Sequence, residues 1–231
     1  YLTVGAAASV SICLKALTAS PDDEFIIFAP FFPRSVPISA GLCYDGADQP
    51  AKGIRYMQTL ELEILNWIQS HLRCGILDAA MPAVSWICNH GEVWILLAAV
   101  LLAIPKTRKA GACLACGLAV DLLLCNLWLK PWIGRVRPFA VNPDVKLLIA
   151  PPTDASFPSG HTASSFAAVF ALLTARSPLW KPSLALAIGI AFSRLYLYAH
   201  WPTDILGGIL VGALAGRLGA KLVQRVTEKR V

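Results

Sequence analysis

The sequence predicts an all-α fold, a polytopic membrane helix bundle of about five spanning helices preceded by an amphipathic helix. Composition is the first reason. Of 231 residues, 56% are hydrophobic and only 15% charged, with a mean hydropathy of +0.60, too apolar for an average water-soluble domain. Patterning is the second. Five apolar stretches, at about 91–105, 110–129, 161–176, 182–199 and 203–223, stand between charged or proline-rich breaks. About 20 apolar residues cross ~30 Å of hydrocarbon, so several of these stretches suffice, and the shorter ones need their flanks or some tilt.

Residues 60–78 precede these spans and mix Leu, Ile and Trp with Glu61, Glu63, Gln69, His71 and Arg73. They are expected to form an amphipathic helix lying at the interface or against the bundle rather than crossing alone. The basic residues set the orientation. Lys106, Arg108, Lys109, Arg176, Lys181, Arg217, Lys221, Arg225, Lys229 and Arg230 collect on one side, which the positive-inside rule assigns to the cytoplasm. The loop 130–160 and the turn 199–203 then share the extracytoplasmic side. The net charge of +6 is explained by this placement at span ends, and no nucleic-acid partner is expected. Seven cysteines in no regular array do not form a disulfide framework, and Cys113 and Cys116, despite their CxxC spacing, are read as packing residues.

The first 56 residues have a different composition, with four prolines between Pro30 and Pro50 and an acidic cluster at Asp22–Glu24. Thr3-Val4-Gly5-Ala6-Ala7-Ala8, then Asp23-Glu24 and Ala29-Pro30-Phe31-Phe32-Pro33, resemble an internal piece of the class I pyridoxal-phosphate aminotransferases. The resemblance covers only about residues 1–34. The Schiff-base lysine and the rest of that fold are absent, so no cofactor and no transaminase activity are expected. The segment 1–56 is read as a fused leader, with 35–56 a linker, a native start near Met57, and 57–231 the membrane domain.

Three clusters are polar where a bundle should be apolar. The first is Lys130, six residues, then Arg137-Pro138. The second is Phe157-Pro158-Ser159-Gly160-His161-Thr162. The third is Ser193-Arg194, five residues, His200, three residues, Asp204. Intact, in order and plausibly spaced from about residue 60 to 223, the set resembles the type 2 phosphatidic acid phosphatases, a family that shares its site with vanadium haloperoxidases and glucose-6-phosphatase.

The residue types suit that chemistry on their own terms. A phosphoryl group in its transition state carries negative charge on equatorial oxygens, and fixed cations stabilise it. Lys130, Arg137 and Arg194 supply three, the arginines through forked guanidinium groups. Ser159 and Gly160 precede a helix whose first amides lack internal partners, a ready anion cradle. Pro202 suits a first helical position, which puts the Asp204 carboxylate in the first turn facing His200, where it fixes the ring tautomer. The resemblance implies that His200 is the nucleophile and forms a phosphohistidine, that Asp204 orients it, and that His161 protonates the leaving group. No metal or other cofactor is called for.

Arg135 is assigned to snorkelling at the interface. Asp121 and Asn126 interrupt a span and are read as structural, with Asn126 one turn before Lys130 and able to support it. Trp128 and Trp132 are interfacial anchors. Substrates implied by the family are phosphatidic acid, phosphatidylglycerol phosphate and undecaprenyl pyrophosphate, taken from the bilayer by an integral plasma-membrane enzyme. The alternatives are a vanadium-dependent haloperoxidase or soluble acid phosphatase, which five apolar spans oppose, and a catalytically silent anion-binding transporter or scaffold.

Overall fold

The computed structural model describes residues 52–228, with side chains from Met57 onward. The aminotransferase-like stretch 1–34 lies outside the described residues, as does the expected linker up to residue 51. Every regular element among the described residues is helical: α1 (Lys52–His71), α2 (Gly75–Trp86), α3 (Glu92–Ala103), α4 (Arg108–Asp121), α5 (Gly160–Thr174), α6 (Trp180–Tyr196) and α7 (Pro202–Glu228). A π-helical segment, Leu122–Leu129, and one α turn, Lys130–Ile133, prolong α4, and a single turn, Pro138–Val141, follows.

The centre is α5. Its buried side chains are mostly small, including Ala163, Ser165, Ala167, Ala168 and Ala171, because α4, α6 and α7 all close on it. On α7 the residues facing it are Gly208, Gly212 and Gly216, while Gly219 meets Cys116 and Gly117 of α4. This small-residue spacing brings two helix backbones together, which replaces the hydrophobic driving force that lipid would not supply. The approach is close enough to require glycine. A Cβ on Gly212 would stand 2.2 Å from the Ala163 carbonyl oxygen, and one on Gly216 would stand 2.3 Å from that of Ala167. On the other side of α5, Trp94, Leu101, Leu114, Leu172 and Ile190 form an apolar core, and the Trp94 indole donates to Ser165 Oγ (3.0 Å).

The outer faces are apolar too. Leu206, Leu210, Leu214, Leu218 and Leu222 form an exposed stripe at helical spacing along α7, and Ile95, Leu96, Leu123 and Leu127 are exposed on α3 and the π segment. A patch of this extent on a folded surface marks contact with something other than water. By length and composition, two stretches can cross a bilayer unaided, Arg108–Val141 and Pro202–Glu228. The apolar helices α3 and α5 have 12 and 15 residues, about 18 and 22 Å at 1.5 Å per residue.

The single amphipathic helix expected over 60–78 is instead two helices. The chain is extended at Cys74 (φ −154°, ψ 157°), and α2 restarts at Gly75 with Asp78 in its first turn, paired to Arg73 (2.9 Å) and accepting a hydrogen bond from Tyr196 (2.6 Å). Both helices dock on the end of α6 where the polar clusters lie: Leu65 and Ile68 of α1 pack on the segment 196–201, and Ser85 of α2 meets Arg194.

Gly212→Ala adds only a methyl group, yet it must prise α5 from α7, an overpacking cost of about 1–3 kcal/mol. Its thermal midpoint in detergent is expected to fall by several degrees. Gly189→Ala, where nothing lies within 4 Å of the added carbon, is the matched control and is expected to hold or raise the midpoint.

Candidate active site

The loop after α4, the N-terminus of α5 and the turn between α6 and α7 meet at one end of the bundle around a cavity of about 1280 Å³. Of the eight expected site residues, Lys130, Arg137, Gly160, His161, Arg194 and His200 line it. Asp204 and Ser159 are fully buried and absent from its wall.

His200 sits in a tight turn held from both ends. Leu197 and Ala199 N–H groups return to Ser193 and Arg194 carbonyls, while Tyr198, at φ 57°, passes its hydroxyl to Asn66 of α1 (2.7 Å). A positive φ on a tyrosine costs about 1 kcal/mol or more, and here it turns the chain so that His200 faces the cavity. Its Nδ1 lies 3.4 Å from Asp204 Oδ2, and Arg137 Nη1 lies 3.3 Å from its Nε2. A guanidinium can only donate, so Nε2 is the acceptor and the ring proton sits on Nδ1, toward the carboxylate. Burial, together with the charges of Arg194, Arg137 and Lys130, holds the imidazole well below its usual pKa. His200 is therefore neutral near pH 7, with its lone pair directed at the cations.

Those cations are fixed by their own partners. Arg137 donates to the Ala199 carbonyl (2.7 Å), to the Asp154 carbonyl (2.9 Å) and to the Asp154 carboxylate (2.7 Å), which Lys130 also contacts. Burial would raise the Asp154 pKa, but the hydrogen bond from Lys130 and the charges of Lys130 and Arg137 outweigh it and hold the group at about 2. Asp154 thus remains ionised over the working range and offsets part of the cationic charge. Arg194 donates to Ser85 Oγ. Among the described residues no group of three or more His, Cys, Asp or Glu side chains is placed to hold a metal ion.

The π segment decides which side chains face the cavity. Asp121, Asn126 and Lys130 are five and four residues apart, and at 3.6 residues per turn Asp121 and Lys130 would stand half a turn from each other. Bonding from i to i+5 widens the turn to about 4.4 residues, so all three fall on one wall, and all three line the cavity. A Cβ on Gly160 would meet Asn126 Oδ1 at 3.2 Å and Lys130 Nζ at 3.4 Å, so glycine there lets the cation reach the head of α5. Ser159 stands behind: its N–H donates to the Asp204 carbonyl (3.1 Å) and its Oγ accepts from Thr162 (3.1 Å).

Arg135 does not snorkel as expected. It is three-quarters buried, donates to Asp204 Oδ1, Thr203 Oγ1 and Glu61 Oε2, each at 2.6 Å, and lies over the Trp201 ring at 5.1 Å. Glu61, also buried, accepts from the Thr203 N–H (2.9 Å), and Ser156 donates to Asp204 Oδ2. The sequence reading missed Glu61, Ser156 and Asp154. Glu61 interrupting the apolar face of α1 was the one available signal.

Three buried side-chain atoms among the described residues lack a hydrogen-bond partner: His161 Nε2, Arg194 Nε and Asp121 Oδ1. All three belong to residues of the cavity wall. Buried polar atoms are ordinarily paired, so three orphans on one wall mark a place where a polar ligand completes the bonding.

The comparisons with known proteins agree with this geometry. A family model described as the PAP2 superfamily matches residues 110–228. An undecaprenyl-diphosphatase from Sulfolobus acidocaldarius is 36% identical over 141 residues, 60% of this chain and 68% of its own length. The crystal structure of Aquifex aeolicus LpxE superposes with a TM-score of 0.60 at 27% identity, over 70% of this chain and 95% of that one. A transmembrane PAP2-type phosphatidylglycerolphosphate phosphatase from Bacillus subtilis shares the fold, with a TM-score of 0.57 at 23% identity over 78% of this chain and 88% of that one. From the three clusters, their convergence on one cavity and these likenesses, the chain belongs to the PAP2 superfamily and is a phosphoric ester hydrolase of that type.

Proposed function

We propose that this chain is an integral plasma-membrane lipid phosphatase whose nucleophile is His200 and whose site opens on the extracytoplasmic face. The observation that carries the reading is the His200 ring: Nδ1 toward a buried carboxylate, Nε2 toward Arg137 and the cavity. In this reading α3 to α7 are the five spanning helices, with α1 and α2 against the bundle at the outer interface. The exposed leucine stripe on α7 faces lipid, and Arg176, Lys181, Arg217 and Lys221 lie at the other, cytoplasmic end.

The reaction takes two steps. In the first, Nε2 attacks phosphorus, the bond from phosphorus to the leaving oxygen breaks, and His161 gives that oxygen a proton. Asp204 stabilises the positive charge that develops on the ring, and Lys130, Arg137 and Arg194 stabilise the equatorial oxygens. In the second, His161 takes a proton from water, which attacks the phosphohistidine and frees inorganic phosphate and neutral His200. Ser159 supports Gly160 and the Asp204 backbone. Likeness to an undecaprenyl-diphosphatase puts a polyprenyl diphosphate among the candidate substrates, beside phosphatidic acid and phosphatidylglycerol phosphate.

Phosphate release from a panel of these lipids in mixed micelles tests the reading. His200→Asn is expected to lower kcat by about a thousandfold or more while leaving inhibition by inorganic phosphate within a few-fold, since the cations remain. A variant retaining more than a tenth of wild-type turnover removes His200 as nucleophile.

Arg135 acts here as a positioning residue, holding the Asp204 carboxylate from behind. Loss of a charge-assisted hydrogen bond to a buried carboxylate costs about 1.5–3 kcal/mol. Arg135→Met is therefore expected to reduce kcat about 10- to 100-fold with KM within threefold, because Arg135 does not line the cavity. A rise in KM at constant kcat would place it in substrate binding instead.

A further inference from the structure

The cavity is larger than a phosphate requires, and one of its three unpartnered atoms has no role in the mechanism above. His161 Nε2 and Arg194 Nε face the phosphoryl group. Asp121 Oδ1 is not needed for it, since Lys130, Arg137 and Arg194 already supply the cations for the phosphoryl oxygens. Asp121 is 2% exposed, sits where α4 passes into the π segment, and lines the same cavity. Burying a carboxyl oxygen without a partner in the middle of an apolar helix is costly, and such residues in spanning helices face pathways or ligands.

Its depth can be read from its neighbours. Lys130 Nζ and Asn126 Oδ1 both come close to Gly160, so the phosphate-binding ammonium lies at the level of Asn126 rather than at the level of its own Cα. Asp121 is one π turn further into the bundle, at most about 7 Å along the axis at 1.5 Å per residue. Lys130, Asn126 and Asp121 line the same cavity, so a leaving group that extends inward along this wall passes Asn126 and Asp121. The cavity lining also includes apolar residues, Pro82, Trp86 and Ile95 among them. A leaving group suited to this passage has hydrogen-bond donors on one edge, near the ester oxygen, and apolar surface elsewhere.

We propose that Asp121, with Asn126, is a specificity site for the leaving group, and that it selects lipid phosphates whose leaving group carries a free hydroxyl within a few bonds of the ester oxygen, such as a glycerol or sugar unit. Asp121 accepts the hydroxyl hydrogen, and the Asn126 amide serves the hydroxyl oxygen. The inference rests on the phosphatase reading and narrows it, because it disfavours a leaving group, such as a diacylglycerol, that carries no hydroxyl near the ester oxygen.

The test compares three substrates in the same mixed micelles: short-chain phosphatidylglycerol phosphate, phosphatidic acid with the same acyl chains, and farnesyl diphosphate. Wild type is expected to show kcat/KM at least tenfold higher for the hydroxyl-bearing substrate than for phosphatidic acid. Asp121→Leu is expected to remove that preference, with phosphatidic acid changed less than threefold and farnesyl diphosphate hydrolysed as well or better. Asp121→Asn, which keeps the shape and an acceptor oxygen, serves if the leucine variant does not fold, and is expected to lose part of the preference. Equal loss on all three substrates, or an unchanged ratio in Asp121→Asn, overturns the proposal while leaving the phosphatase intact. Absence of phosphate release from every lipid by the wild type would instead defeat the phosphatase reading itself.

Discussion

A single residue, Asp204, has to be satisfied through its carboxylate and its backbone by groups from three separate parts of the chain, and the site exists only where they meet. Arg135 and Ser156 come from the loop after α4, the Trp201 N–H (2.9 Å) and His200 from the turn before α7, and Ser159, at the head of α5, bonds the Asp204 backbone. With no exposed surface, an incompletely paired Asp204 would be expensive, so each partner is held firmly in place. Fixing the carboxylate fixes the ring tautomer of His200, and the tautomer decides which nitrogen presents a lone pair to the cavity.

The small-residue contact between α5 and α7 is the scaffold for that meeting. Because the backbones touch at Gly212 and Gly216, the N-terminal ends of both helices, carrying His161 and Asp204, are set at a distance with little freedom. Large core residues would allow more slack through rotamer changes. Precision at the site is in this sense a property of residues with almost no side chain, while the charged groups at the cavity are held by one another. Asp154 restrains Lys130 and Arg137 without removing the excess positive charge.

Much of this was legible in the sequence because a polar residue in an apolar stretch is conspicuous. Lys130, Arg137, His161, Arg194 and His200 stand out for that reason, and the cavity gathers all of them. The all-helical class followed from apolar length, and the boundaries of α5 and α6 lie within about three residues of the expected stretches, while α7 runs on to Glu228, past the expected end at 223. What was not legible depends on partners or register. An arginine at a helix end looks the same whether it snorkels or, like Arg135, grips two buried carboxylates. Glu61 looked like one more polar residue of an amphipathic helix, although it falls on the face of Leu65 and Ile68, until Thr203 and Arg135 closed on it. Asp121 was read as structural because a polar residue facing a bundle interior can be satisfied by its neighbours, and the π segment that brings it to one wall with Lys130 leaves no trace in the apolar pattern. The break at Cys74 carried too weak a signal: neither Arg73 nor Gly75 stops a helix alone, and it is the pairing of Asp78 with Arg73 and Tyr196 that favours a fresh start.

The account turns on a covalent bond between His200 Nε2 and phosphorus. Rapid quenching of the enzyme into alkali during turnover, followed by mass spectrometry of the peptide that spans the α6–α7 turn, measures this directly. The account predicts an acid-labile phosphate of about 80 Da on His200, absent when Asp204 or His200 is replaced. An unmodified His200 peptide under conditions where phosphate is being released, or the phosphate found on His161 instead, would contradict it.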